Sequence, residues 1–289
     1  MASPERDPVS GYRTTGHEWD GIKELTTPIP HWWVSVFLAT IAVAVIYLYL
    51  MPSFAGTTGF LPGALKWTSK GQLAEDQAAA ATAQGPWRSA IMAVPLEQVE
   101  ADPDLRRFAV AGGKALFNQN CAPCHGVGAG GQQGQFPSLV DDDWLWGGKI
   151  DDIRQTITHG IRNDDSDSRS SVMPTFGDNL SKGEIEQVAD YVVSLSDPAA
   201  DATRAAMPGA AVFRANCAAC HGPSGEGSRE FGAPRLNDAI WLYGRGRDAV
   251  IRQVTQPRMG MMPSFAARFD EATIRMLATY VHSLGGGER

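Results

Sequence analysis

The pentapeptide CAPCH at residues 121–125 returns as CAACH at residues 217–221, and the two copies hold all four cysteines of the 289-residue chain. C-x-x-C-H is the attachment motif of a c-type haem. Its two thiols bond to the haem vinyl groups as thioethers, and the histidine becomes the proximal ligand of the iron. The motifs therefore predict two covalently bound haem c groups, held by Cys121, Cys124 and His125 and by Cys217, Cys220 and His221.

Three other uses of these cysteines fit the sequence less well. A zinc ribbon places its two C-x-x-C pairs ~15–20 residues apart, whereas 92 residues separate the pairs here. A thioredoxin-like redox pair expects a βαβ context, which this sequence does not indicate. Structural disulfides would leave both adjoining histidines unexplained. Haem attachment accounts for every residue of the motif.

The motifs lie inside a longer internal repeat. GKALFNQNCAPCHG at 113–126 matches GAAVFRANCAACHG at 209–222, and VMPTF at 172–176 matches MMPSF at 261–265. Each copy ends in a stretch with apolar residues at i, i+3, i+4, i+7 and i+10, which is one face of an amphipathic helix. Because strand signals are weak throughout, the predicted fold class is mainly α, with two tandem cytochrome c domains.

The repeat also offers a second axial ligand for each iron. Methionine opposite histidine raises the reduction potential of a haem. Met173 and Met262 occupy matching Met-Pro-x-Phe segments, and we expect them to be these ligands. Met259 and Met261 are alternatives to Met262, and His159 is an alternative to Met173.

Residues 32–51 read WWVSVFLATIAVAVIYLYLM and carry no charge. A bilayer core is crossed by ~20 helical residues, and Trp and Tyr at the two ends suit the membrane interfaces. A cleaved signal peptide would start nearer the N-terminus and have an apolar core of ~7–15 residues. We therefore predict one uncleaved N-terminal transmembrane helix. Lys and Arg are balanced on its flanks, so they do not orient it.

The haem motifs orient the anchor instead. In bacteria, haem is joined to C-x-x-C-H on the outer side of the plasma membrane. We therefore expect a single-pass protein of the bacterial inner membrane. The predicted divisions are a cytoplasmic tail at 1–31, the transmembrane helix at 32–51, a partly irregular periplasmic connector at 52–107, cytochrome c domain 1 at 108–196, a linker at 197–206 and cytochrome c domain 2 at 207–289.

The two repeats differ in charge. Residues 105–196 hold 8 Lys/Arg and 12 Asp/Glu, a net charge of −4, while residues 207–289 hold 10 and 7, a net charge of +3. Complementary surface charge steers the association of proteins. We expect the acidic first repeat to attract a basic electron-carrier protein, and we expect no nucleic-acid partner.

With these parts in view, the chain resembles the dihaem subunit of cbb(3)-type cytochrome c oxidases, the C-family haem–copper oxidases. TTGHEWDGIKELTTPIPHWW at 14–33 is similar to that family's N-terminal signature, and LKWTSKGQ at 65–72 is similar to its segment after the span. The resemblance covers nearly the full length. It implies that Met173 and Met262 complete the ligand pairs, either within each repeat or exchanged, with Met173 at the second haem and Met262 at the first.

The resemblance also implies a role in aerobic or microaerobic respiration. Such a subunit accepts electrons from a donor c-type cytochrome and passes them through a monohaem cytochrome subunit to the catalytic haem–copper subunit, where oxygen is reduced and protons are pumped. Two His/Met irons leave no open position, so we expect no catalytic site on this chain. The alternatives are a membrane-anchored cytochrome of another complex, such as a quinoprotein dehydrogenase or a nitric oxide reductase, and a dihaem peroxidase, which needs one displaceable ligand.

Overall fold

The computed structural model describes residues 5–57 and 59–288. In chain order the elements are β1 (Thr14–Trp19), β2 (Ile22–Leu25), α1 (His31–Leu50), β3 (Ala55–Gly56), β4 (Gly59–Phe60), α2 (Ser69–Ala93), α3 (Leu96–Ala101), α4 (Pro103–Asn120), α5 (Ala122–His125), α6 (Ile150–His159), a 3₁₀ turn (Phe176–Asp178), α7 (Lys182–Leu195), a second 3₁₀ turn (Pro198–Ala200), α8 (Asp201–Arg204), α9 (Pro208–Asn216), α10 (Ala218–His221), α11 (Arg247–Thr255) and α12 (Glu271–His282). Helices dominate, so the predicted class is confirmed. The chain divides into two compact units, residues 1–83 and 84–289.

The first unit is built around α1, which begins and ends within one residue of the predicted span. It is long and apolar enough to cross a membrane. None of its side chains is buried in the protein. An apolar helix that is not covered by protein on any side needs a hydrocarbon environment. This is what is expected of a helix that anchors the chain in a membrane.

A short hairpin precedes the anchor, although the sequence analysis described this tail only as polar. β1 and β2 pair antiparallel on either side of Asp20 and Gly21. Both turn residues have positive φ, 47° and 82°, which is the type I′ turn that Asp-Gly favours. The Asp20-Gly21 dipeptide is the feature of the sequence that indicates this hairpin. A second, two-residue pairing joins β3 to β4.

The predicted connector at 52–107 is largely helical. Its irregular part ends at Thr68, and α2 and α3 follow. Ile91, Leu96 and Val99 at its C-terminal end are buried. This end of the connector is therefore part of the core of the second unit.

One core of the second unit forms where α12 packs along α4 and α6. The backbones of α4 and α12 touch at Gly113. A Cβ there would overlap the carbonyl oxygen of Met276 and lie 2.6 Å from Cβ of Tyr280. One turn later, the rings of Phe117 and Tyr280 pack with their centroids 5.3 Å apart. Glycine is what permits this close crossing.

The other core repeats the arrangement with α7 packed on α9 and α11. A Cβ at Gly209 would overlap the carbonyl oxygen of Gln187 and lie 2.8 Å from Cβ of Tyr191. The rings of Tyr191 and Phe213 lie 5.2 Å apart. A Ser181–Glu184 capping box starts α7, as its sequence predicts.

The two cores exchange their last helices. α7 closes the first repeat in sequence but packs with α9 of the second, whereas α12 closes the second repeat but packs with α4 of the first. The divisions at 108–196 and 207–289 describe the sequence repeat. In space, each core, called here the first core (with α4 and α12) and the second core (with α7 and α9), takes helices from both copies.

We expect Gly113→Ala to lower the free energy of unfolding by about 1–3 kcal/mol, because the added methyl group would push two tightly packed backbones apart. Guanidinium unfolding of the full chain in detergent measures the change. The matched control is Gly183→Ala in α7, where a Cβ meets nothing within 4 Å. That variant should match or slightly exceed the wild-type stability. Equal stability of the two variants would contradict a close helix crossing.

Candidate functional site

The first cysteine motif forms a single helical turn directly after α4. Cys121 ends α4, α5 carries the motif, and Gly126 then turns the chain at φ 79°. The ring atom Nδ1 of His125 lies 3.0 Å from the carbonyl oxygen of Pro137. A carbonyl only accepts, so Nδ1–H donates and Nε2 carries the free lone pair. This is how proteins orient a histidine that binds a metal.

The second motif has the same geometry. Cys217 ends α9, α10 follows, and Gly222 turns at φ 77°. His221 Nδ1 donates to the carbonyl oxygen of Pro234 at 3.0 Å. Burial lowers the pKa of both motif histidines. Each imidazole is therefore held neutral, as a metal ligand must be.

The cysteines differ in exposure in the same way in both motifs. Cys121 is half-buried and Cys217 is buried, whereas Cys124 and Cys220 are exposed. No disulfide joins them in the part of the chain that the structure describes. Burial raises the pKa of Cys121 and of Cys217 to about 11. Two cysteines without a disulfide beside one oriented imidazole are the donor set that haem c attachment uses, so the residues present fit that group.

Each core contains the first cysteine of one repeat and the methionine of the other. Met262 and Cys121 both pack against the first core. Met173 and Cys217 both belong to or pack against the second core. Exchanged ligation would need this placement, and it stays a prediction.

The segment of Met262 is fixed to the end of α6. Backbone bonds of 2.9 Å run in both directions between Met262 and Ile161. The Asn163 side-chain amide donates to the Met262 carbonyl at 2.7 Å. Two residues on, the Ser264 hydroxyl donates to the Asp165 carboxylate at 2.8 Å. These bonds hold a segment of the second repeat on the first core.

The alternative ligands lie elsewhere. Met259 Sδ lies 3.4 Å from the backbone nitrogen of Met173, so it is at the other methionine. Met261 is 68% exposed. His159 Nδ1 is 3.2 Å from a carboxylate oxygen of Asp165. Within the described residues, neither Met259 nor Met261 belongs to or packs against either core. Ligation by Met173 and Met262 stays a prediction.

Sequence reasoning missed the residues that hold the Met262 segment. Asn163 and Asp165 belong to the first repeat, in a loop that reads as an exposed acidic run. Their role depends on the exchange between repeats, and no local pattern carries that information.

Comparison with known protein families gives the context of these sites. The family described as the N-terminal domain of cytochrome oxidase-cbb3, FixP, matches residues 11–58. The family described as cytochrome c oxidase, cbb3-type, subunit III, matches residues 108–192 and 204–281. The chain belongs to the cbb3-type subunit III family. The predicted tandem cytochrome c domains are thereby confirmed, and cytochrome c domains bind haem c.

Individual relatives match along the full length. The chain is 48% identical over 283 residues to the cbb3-type cytochrome c oxidase subunit FixP of Sinorhizobium medicae, covering 98% of this chain and 97% of the relative. It is 47% identical to that subunit of Rhizobium etli, covering 99% and 100%. It is 44% identical over 297 residues to subunit CcoP of Azospirillum brasilense, covering 100% of both. The predicted family is confirmed, and the alternative complexes are not favoured.

We expect Asn163→Ala to loosen the Met262 segment, because the variant loses the hydrogen bond from the Asn163 side chain to the Met262 carbonyl oxygen. The reduced variant should then bind carbon monoxide at one haem several-fold more readily than the wild type does. Optical titration measures the binding. Asn237→Ala is the control, since that amide donates to Ser224, outside both methionine segments. Unchanged carbon monoxide binding in Asn163→Ala would contradict a holding role.

Proposed function

We propose that this chain carries two covalently bound haem c groups and relays electrons within a membrane-anchored cbb3-type oxidase. The observation that supports it best is the duplicated motif geometry. In each motif a neutral histidine is oriented by a proline carbonyl at 3.0 Å, beside one buried or half-buried and one exposed cysteine. Cys121 and Cys124 would hold one haem, and Cys217 and Cys220 the other. Bound there, each iron supplies one-electron redox chemistry.

We further propose that the methionines ligate across the repeats. Met262 would complete the ligand pair of His125, and Met173 that of His221. The exchanged cores support this pairing, because each methionine packs in the core that contains the other repeat's first cysteine. Bound by a histidine and a methionine, each iron would have a raised potential. An iron held by both residues would transfer electrons and offer no binding position to oxygen.

The proposed partners and orientation follow from this role. Electrons would come from a donor c-type cytochrome and leave through a monohaem cytochrome subunit to the catalytic haem–copper subunit. The haem domains would be periplasmic and residues 1–31 cytoplasmic, with α1 in the lipid bilayer. Attachment of haem to C-x-x-C-H outside the plasma membrane supports this orientation.

The exchange of helices removes the basis for steering by an acidic first repeat. Grouped by the core they join, residues 84–169 with 258–289 hold 12 Lys/Arg and 15 Asp/Glu, while residues 170–257 hold 8 and 10. The net charges, −3 and −2, are nearly equal. Grouped by core, with the connector residues 84–104 included, the totals do not identify the haem at which a donor docks, and docking of a basic electron carrier stays a prediction.

Purification of the detergent-solubilised complex tests the proposed role. We expect the chain to co-purify with a monohaem cytochrome and a copper-containing haem subunit, and to retain two haems per chain in acidified acetone. Reduced donor cytochrome should drive oxygen uptake by this complex. Co-purification with a dehydrogenase and no copper subunit would contradict the proposal, and tight carbon monoxide binding by the chain's own haems would favour a peroxidase.

Exchange of the ligands is tested with Met262→His and Met173→His in a chain whose first haem is marked. Cys121→Ala leaves that haem with one thioether and an unreacted vinyl group, which shifts its absorption to longer wavelength. Histidine in place of methionine lowers the potential. We expect Met262→His to lower the midpoint potential of the marked haem and Met173→His that of the unmarked one. The opposite result in a redox titration would show ligation within each repeat.

A further inference from the structure

A second apolar surface lies directly after the anchor. The sequence carries no Asp, Glu, Lys or Arg between Glu24 and Lys66, so the charge-free stretch continues well past the end of α1. Residues 52–57 and 59–65, called here the post-anchor hairpin, contain β3 and β4. Their large apolar side chains are exposed: Phe54, Phe60, Leu61 and Leu65. Apolar side chains that are gathered on one exposed segment, as opposed to scattered singly, indicate an interaction surface.

Hydrogen bonds fix the post-anchor hairpin to the last turn of α1. The backbone N–H of Ala64 donates to the Tyr49 carbonyl oxygen at 2.9 Å. The next N–H, of Leu65, donates to the Leu50 carbonyl oxygen at 3.1 Å. Gly63 permits this approach, because a Cβ there would overlap the Leu50 carbonyl oxygen. The last carbonyls of a helix have no partner within the helix, and here the returning chain supplies one. The hairpin therefore lies level with the C-terminal end of the anchor.

The backbone of the hairpin suits a medium without water. A membrane offers no hydrogen-bond partners to an open backbone, but β3 and β4 pair with each other. The Ser53 N–H donates to the Leu61 carbonyl oxygen at 3.2 Å, and the Leu61 N–H donates to the Phe54 carbonyl oxygen at 2.9 Å. Pro52 and Pro62 have no N–H that needs an acceptor. Pairing and proline together lower the cost of moving this backbone out of water.

Large apolar side chains stand on both faces of the hairpin. The strand register places Phe60 opposite Ala55, and the hydrogen bond from Leu61 to Phe54 makes these two residues the next pair. Successive side chains of a strand point to opposite faces, so Phe60 projects from one face and Leu61 with Phe54 from the other. A hairpin that covers a core with one face keeps a polar face toward water. Large apolar side chains on both faces instead favour surroundings that are apolar on both sides.

We infer that the post-anchor hairpin is seated in the lipid bilayer, at the end of the anchor that is marked by Leu50, as a second membrane contact beside α1. The lipid contact of the anchor continues into the hairpin through the charge-free chain and the backbone bonds to the last turn. The 20 residues of α1 span about 30 Å as a helix, which matches the hydrocarbon core of a bilayer. The hairpin then lies at the boundary with the headgroups, which the Lys66 ammonium can reach on its long side chain. Haem plays no part in this contact, which requires only the membrane anchor.

Photo-crosslinking in the membranes of cells that assemble the full complex tests the inference. The photoreactive residue p-benzoylphenylalanine replaces Phe60 in one variant, Leu61 in a second and Gln77 in a third, and the phospholipids of the cells are radiolabelled. Gln77 is the matched control, because it is exposed on α2 and follows Glu75 and Asp76. We expect several-fold more labelled lipid adduct per chain from the Phe60 and Leu61 positions than from the Gln77 position.

Gly63→Ala tests the bonds to α1. We expect it to reduce the lipid adduct at the Phe60 position several-fold while the chain stays in the membrane fraction, because α1 is unchanged. Gly85→Ala in α2, where a Cβ meets nothing within 4 Å, should leave the adduct unchanged.

A lipid yield at the Phe60 or Leu61 position no greater than that at Gln77 would overturn the inference, and an adduct with another oxidase subunit would identify a protein as the occupant. An adduct that Gly63→Ala leaves unchanged would also contradict it, since the bonds to α1 would then not seat the hairpin. The haem content of the same membranes reports separately on the proposed function. A chain that lacks two haems but forms the lipid adducts would refute that function alone.

Discussion

The close crossing of one repeat's last helix over the other repeat's first helix is the contact on which the second unit depends. Gly113 and Gly209 occupy the same place in the repeat, and each lets two helix backbones meet. Only eight residues lie between Met262 and the start of α12, and the equivalent segment leads from Met173 into α7. The helix that crosses therefore brings its methionine with it. The exchange of the helices and the proposed exchange of the methionine ligands are therefore coupled through these short segments.

Much of the local structure could be predicted from the sequence because it is encoded locally. The cysteine motifs, the amphipathic ends of the repeats and the charge-free anchor each carry their own signal. The exchange does not. Residues 185–195 and 274–284 present the same apolar spacing, so either helix could cover either partner. The choice depends on how the intervening chain turns, where Arg204 donates to the carbonyls of Ser194 and Asp197. No periodicity reports such a tertiary constraint.

The two cores are related by the repeat but differ in their surroundings. The end of α2 and α3 cover the first core, and the buried guanidinium of Arg275 donates to the carbonyl of Ile91 at 2.6 Å. His282 pairs with Glu100 in the same region. The alanine run with proline, glycine and glutamine in the connector predicted a partly irregular chain, since nothing local shows that its few apolar residues pack against α12. Among the described residues, no comparable packing joins α2 or α3 to the second core.

The exposure of the cysteines indicates where the proposed haems would reach the surface. In both motifs the second cysteine is exposed and the first is more buried, so each proposed haem would reach the surface at its thioether edge, at Cys124 or Cys220. Because both cores need helices from both repeats, a change at either helix crossing would disturb the surroundings of both cysteine motifs. The packing around the two proposed haem sites is therefore coupled through the same pair of crossings.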